Sequence, residues 1–244
     1  MTPPRSAGAA VGRDGQDGAV LAIVPLRAEP VFRPYPFALP VDGPVPRAVA
    51  DARRLLARTP NRFDGPIAFC HGVSPEGAIL RRPGRYSEAL VVFEEPSLAY
   101  RLGFALGVQL FVERVEGPVL FQLRAPSIGR DPLRWTASAS GGLAPVEQPR
   151  EAVLADAAEE IGLTPEDLFG FQPAAVCLND DTGSALIVYR ARLREGTEPT
   201  PDDAKVAELH WAAGPGDLGA QVSSDTLAAW AALERAVARA EATS

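Results

Sequence analysis

Apolar residues follow two rhythms along this chain, and the change from one to the other divides it into elements. A continuous apolar run in AVLAIVPL (19–26) and alternation in GVQLFVER (107–114) each predict a β-strand. Glu116-Gly117-Pro118 then turns the chain so that VLFQLRA (119–125) returns as the second arm of a hairpin. Two or three strands are expected over GPIAFCHGV (65–73), GAILRR (77–82) and EALVVFEE (88–95). Further strands are expected at FQPAAVCLND (171–180), SALIVYRARLRE (184–195) and VAELHWAA (206–213). Helical spacing marks three other segments. Residues 45–58 offer Ala48, Ala52, Leu55 and Leu56 as an apolar side, with Arg53, Arg54 and Arg58 as a solvated face. Residues 149–161 form a second helix, and a terminal helix from Ser224 carries a stripe of Leu227, Trp230, Leu233 and Val237. Strands early and strand–helix alternation later predict an α/β or α+β arrangement.

Composition narrows what such a chain does. A hydrophobic content of 46% over 244 residues supplies a globular core, in one large domain or two small ones. The net charge of −7 argues against nucleic acid as the main partner, because phosphate neutralisation needs clustered Lys and Arg. No run approaches the roughly 20 apolar residues of a membrane span, and MTPPRSAGAAVGRDGQDG lacks the apolar stretch of a signal peptide. Residues 1–18 are therefore expected to be a disordered lead. Cys70 and Cys177 lie in apolar surroundings and read as buried free thiols, which suits a reducing cytoplasm. His71 and His210 lack zinc-site spacing and read as structural. Ser138 and Ser140 have no positioned histidine partner identifiable from the sequence, which argues against a serine hydrolase.

The segment GGLAPVEQPREAVLADAAEEIGL (141–163) carries the chemistry. Pro149 suits a first helical position and Gly162 the residue after the last turn, so the helix has both ends encoded. At 100° per residue Asp156, Glu159 and Glu160 share one sector, beside an apolar side of Val153, Leu154, Ala157 and Ile161. Like charges at i, i+3 and i+4 repel, and the negative end of the helix dipole adds to the cost. A divalent cation relieves that repulsion. Hard oxygen donors at this density suit Mg²⁺ or Mn²⁺, which also bind phosphate oxygens.

Read from Gly141 through Glu147 to Ala155-Asp156-Ala157-Ala158-Glu159-Glu160-Ile161-Gly162-Leu163, the segment resembles the Nudix box, G-x5-E-x7-R-E-U-x-E-E-x-G-U with U apolar. Gly141, Glu147, Glu159, Glu160, Gly162 and Leu163 match in register. Ala155 stands where the family has the arginine that orients its glutamates, and Asp156 stands for the first helical glutamate. The resemblance implies a Nudix α/β/α sandwich with a mixed sheet over residues 98–244. A small, mainly β N-terminal subdomain (19–97) is expected to precede it. It further implies Mg²⁺ or Mn²⁺ held by Asp156, Glu159 and Glu160 on a nucleoside diphosphate linked to a group X, with Glu159 or Glu160 orienting the attacking water. Glu147 is then either an outer partner of the metal site or a structural carboxylate. An additional base from the later loop has three candidates, Glu198, Asp202 and Asp203. Since Nudix domains also occur as ligand sensors, a catalytically weak nucleotide-binding protein is the competing class.

Substrate choice lies outside the box. RFDGP (62–66) and GRYSE (84–88) ahead of GFALGVQLFVER are similar to the N-terminal extension of the animal Nudix enzymes that cleave UDP-glucose and UDP-galactose. That likeness implies Arg85, Tyr86, Arg124 and Gly142 as substrate contacts, and UMP plus a sugar 1-phosphate as products. Arg pairs bidentately with phosphate and an aromatic ring stacks on a base; ordinary packing is the other role for Tyr86. ADP-ribose, dinucleotides and CoA esters are the alternative substrates.

Overall fold

The computed structural model describes residues 20–39, 42–59, 64–115, 117–202 and 204–242. The expected disordered lead, Arg62 and Phe63 of RFDGP, the hairpin residue Glu116 and the loop acid Asp203 lie outside the described residues.

In chain order the elements are β1 (Val20–Pro25), β2 (Phe32–Pro34), α1 (Pro44–Arg58), β3 (Pro66–Val73), β4 (Ile79–Arg85), α2 (Tyr86–Glu94), α3 (Ala99–Leu102), β5 (Phe104–Glu113) and β6 (Val119–Arg124). They continue with β7 (Trp135–Thr136), β8 (Ala139–Gly142), α4 (Pro149–Ile161), β9 (Leu168–Asn179), β10 (Ser184–Leu193), β11 (Val206–Ala212) and α5 (Ser224–Glu241). One mixed sheet runs in the order β1-β9-β10-β5-β3-β4-β2, with β8 also on β5 and with β6 carrying β7 and β11. β10 is antiparallel to β9 and parallel to β5.

Alternation along β10 shows how the layers form. Ala185, Ile187, Tyr189 and Ala191 face a core shared with α1, α2 and α4, whereas Leu186 and Val188 face a second core under α5. Helices therefore cover both sheet faces, the three-layer α/β/α arrangement that the sequence suggested. α5 packs through Ala228, Ala229, Ala232 and Leu233. The expected stripe is rotated accordingly: Trp230 and Val237 are partly buried against this core and Leu227 is exposed. In α1 the packing residues are Val45, Val49 and Leu56, with Ala48 and Ala52 partly buried and Leu55 exposed. Both cysteines are buried free thiols, and burial pushes Cys70 up to about 12.

Two expectations are corrected. EALVVFEE is helical, forming α2 with its preceding Tyr86 and Ser87. The Arg85 backbone N–H donates to Glu88 Oε1 at 2.9 Å, which caps the first turn, and Ala89, Val91 and Val92 bury on one side. The β-branched pair had favoured a strand; capping and tertiary burial outweigh that preference. The predicted hairpin also closes only at its tip, where Glu113 pairs with Val119. Beyond that point β5 takes β10, β3 and β8 as neighbours and is buried on both faces from Phe104 to Val112.

No helix among the described residues is long and apolar enough to cross a membrane.

Candidate active site

The helix bearing the carboxylates is α4. Pro149 opens it, and Gly162 closes it with φ 66°, a left-handed conformation that favours glycine. Ala152, Val153, Ala157 and Ile161 anchor the helix in the core, which fixes the rotation of the acidic side. The loop after β10 secures the last turn: Thr200 N–H donates to the Ile161 carbonyl and Asp202 N–H to that of Glu160, both at 2.9 Å.

Each acid then has its own surroundings. Glu160 is only 9% exposed; its Oε2 accepts from Gln122 Nε2 at 2.7 Å and from the Ser140 backbone N–H at 3.1 Å. Burial raises its pKa against those hydrogen bonds. Asp156 is raised from 3.8 to about 7, first by burial and then by the fields of Glu160 and Glu159, with Lys205 opposing. Glu159 is largely exposed and accepts from Lys205 Nζ at 2.6 Å. Glu147 turns back on its own loop, where Oε2 accepts from Ala144 N–H at 3.0 Å, and its charge adds to the field at Asp156.

Gly141 is required by the close approach of its strand to this helix. A Cβ there would lie 2.2 Å from Asp156 Oδ2. Gly141→Ala is therefore expected to push the Asp156 side chain aside and to weaken Mn²⁺ binding at least about tenfold with a smaller loss of stability. Calorimetric titration beside a melting curve checks this, and unaltered Mn²⁺ affinity would exclude Gly141 as the wall behind Asp156.

The same strand also lines a cavity of about 180 Å³, whose lining includes none of the box carboxylates. Tyr86, Phe93, Gln109, Arg124, Arg130 and Gly142 are among its lining residues, together with Ser140, Gly141 and Asp225. Three of the four sequence-proposed substrate residues thus meet here. Arg85 does not: its Nη1 donates to the Asp64 carbonyl at 2.8 Å at the start of α2. Arg124 donates through Nε to the Arg130 carbonyl at 3.0 Å, with Nη1 3.5 Å from Ser140 Oγ. Arg130 stacks over Phe93 at 3.7 Å and pairs with Asp225 at 2.8 Å. Gln109 is 4% exposed, and its Oε1 has no hydrogen-bond partner. A larger cavity of about 840 Å³ between the β1–β2 connection, β9 and the end of α5 contains none of the box carboxylates.

The remaining candidates fall elsewhere. Glu198 lies 3.7 Å from Arg114, and Asp202 Oδ1 accepts from Ala204 N–H at 3.0 Å within its own loop. Ser138 Oγ donates to the Leu120 carbonyl and accepts from Val112 N–H, joining β5 to β6. His71 stacks on Tyr35, and His210 packs against Trp135. Sequence reasoning missed Gln122, Lys205, Gln109, Arg130 and Asp225. The alternation of β5 and β6 marked Gln109 and Gln122 as polar positions between apolar ones, the one signal available for any of these five.

The structural neighbours share a similar arrangement of chain. DR0079 from Deinococcus radiodurans is 18% identical with a TM-score of 0.49, over 70% of this chain and 99% of that one. The M. smegmatis Nudix hydrolase RenU is 22% identical with a TM-score of 0.41, over 55% and 84%. A C. elegans Ap4A hydrolase is 16% identical with a TM-score of 0.42, over 56% and 98%. No family model and no curated protein matches the sequence.

Carboxylate oxygens are the donor type that hard divalent cations take. Among the described residues no three such side chains already form a cage; Glu159 is held by Lys205 and Glu160 by Gln122 and Ser140. Mg²⁺ needs no such cage, since it usually takes one or two carboxylates and completes its shell with water and substrate phosphate. The raised pKa of Asp156 gives this a measurable sign. A carboxyl at about 7 when folded and 3.8 when unfolded stabilises the fold fully below 3.8 and loses that contribution as pH rises through 7. His71, lowered from 6.5 to about 4 by burial, gives a trend of opposite sign that fades above pH 6.5 and is the smaller of the two there. Between pH 6.5 and about 8 the metal-free melting temperature is therefore expected to fall, and Asp156→Asn to flatten the slope. A melting temperature that rises over this interval in wild type would contradict the burial of Asp156.

Proposed function

We propose that this chain is a Nudix pyrophosphohydrolase that uses Mg²⁺ or Mn²⁺ to cleave a nucleoside diphosphate linked to a group X. The observation that carries the proposal is the strand 140–142, which touches the box carboxylates through Ser140 N–H and Gly141 and also lines the cavity that Arg124 and Arg130 reach. Asp156, Glu159 and Glu160 would hold the cation. When bound, it neutralises charge on the diphosphate and lowers the pKa of an attacking water. Glu160, held by Gln122 and Ser140, would orient that water and accept its proton, and Glu159 is the second candidate for this role. Glu147 holds the loop that delivers the helix and strengthens the negative field. Arg124 would meet the diphosphate from the end of β6.

The cavity volume is below the usual 300–1,000 Å³ of a small-molecule site, so it suits one ring or one phosphate of the substrate rather than the whole. Tyr86 and the stacked Arg130 form part of its wall, and Gln109 Oε1 offers an acceptor. A UDP-sugar, giving UMP and a sugar 1-phosphate, is the substrate class we favour; ADP-ribose, dinucleotides and CoA esters are the alternatives. A catalytically weak nucleotide-binding protein is the second reading, favoured by Ala155 at the position of the family's arginine. Calorimetry with UDP-glucose and Mg²⁺ separates the two. Binding accompanied by steady heat from turnover supports the enzyme, whereas saturable binding without turnover supports the binding protein.

A further inference from the structure

Resting on the assignment of the box carboxylates as metal ligands, we propose that Lys205 is a built-in counter-ion of the site, occupying Glu159 until a divalent cation displaces it. Lys205 Nζ lies 2.6 Å from Glu159 Oε2, the only ion-pair partner of Glu159 among the described residues. Its charge also reaches Glu160 and Asp156. The backbone that delivers it is pinned at three points: Lys205 N–H donates to the Asp202 carbonyl, Asp202 N–H donates to the Glu160 carbonyl, and Ala125 N–H donates to the Lys205 carbonyl, each at 2.9 Å. The loop thus holds the base of the lysine beside both the last turn of α4 and the end of β6.

Its side chain is less constrained. Lys205 and Glu159 side chains are 37% and 66% exposed, so their pair is a half-solvated contact that contributes little to the fold and gives way readily. A divalent ion that recruits Glu159 repels an ammonium on the same carboxylate, so the two cations exclude each other. Lys205 thereby sets how much free metal the protein needs before Glu159 joins the site. The lysine is a positioning residue: it acts on the carboxylate, not on the reacting atoms.

Mn²⁺ binding to Lys205→Met, read without nucleotide from the electron paramagnetic resonance of free Mn²⁺, tests this. Removing the competing charge is expected to tighten Mn²⁺ binding about two- to fivefold. The metal-free melting temperature should fall slightly, its rise on adding Mn²⁺ should grow, and Lys205→Arg should restore the weaker wild-type affinity. A purely structural lysine would lower the melting temperature and leave Mn²⁺ affinity unchanged or weaker; that result, with wild type still binding through the carboxylates, overturns the proposal alone. If an Asp156→Asn, Glu160→Gln double variant binds Mn²⁺ as well as wild type, the metal site itself is misassigned and the role of Lys205 falls with it.

Discussion

Glu160→Gln is expected to lower kcat by about 10²- to 10⁴-fold, the usual scale for removing a positioned acid–base or charge-stabilising group, while nucleotide affinity changes little. The substitution is nearly isosteric, and Glu160 sits where both geometry and charge matter. Its Oε2 takes two hydrogen bonds from Gln122 and Ser140 in a position only 9% exposed. Glutamine keeps a carbonyl oxygen that can accept both bonds but carries no charge for a cation or a proton. Removing that charge also relieves the field that raises Asp156, so the metal-free protein should not lose stability comparably. Steady-state kinetics alongside a melting curve decides this. A fall in kcat matched by a fall in melting temperature would mean that Glu160 is a packing residue.

Arg82→Met should destabilise the protein by about 3–5 kcal/mol, the cost of leaving a buried partner charge unpaired. Arg82 is 2% exposed and lies 2.9 Å from Glu88 Oε2, and its Nε donates to the Leu102 carbonyl at 2.9 Å. Its guanidinium also stands over Phe69 at 4.0 Å and Phe37 at 4.4 Å. One side chain thus ties β4 to the first turn of α2 and to the entry of β5. Glu88→Gln in the same chain should recover part of the loss, because no carboxylate is then stranded. Since α2 carries Tyr86 and Phe93 into the cavity, KM should rise as well. Urea unfolding measures the energy. A loss below about 1 kcal/mol would show that Glu88 finds water or another donor.

How much of this was visible in the sequence depended on whether the deciding contacts are local. α4 was legible to the residue, because Pro149, Gly162 and the helical period all act within its own length. The box spacing put Gly141 and Asp156 in one motif, and the fold brings them into contact. α2 was misread because a short apolar run with Val91, Val92 and Phe93 suits either state, and its capping glutamate was read as the start of a strand. The cavity was legible only in part. Arg130 and Asp225 are 95 residues apart and meet through tertiary packing, which no local pattern encodes. Lys205 sits in the loop ahead of β11, where a lysine reads as solvated until the fold places it on Glu159.

The central claim is cation-dependent cleavage of a phosphoanhydride, and ³¹P NMR of the reaction products tests it most directly. UDP-glucose, ADP-ribose, a dinucleotide and CoA would be incubated with wild-type protein in Mg²⁺ and in chelator. The expected result is conversion of UDP-glucose to UMP and glucose 1-phosphate in Mg²⁺ only, and its loss in Glu160→Gln. Cleavage of ADP-ribose alone would keep the chemistry and replace the substrate. No metal-dependent phosphate monoester from any of the four would contradict the assignment of this site as a pyrophosphohydrolase.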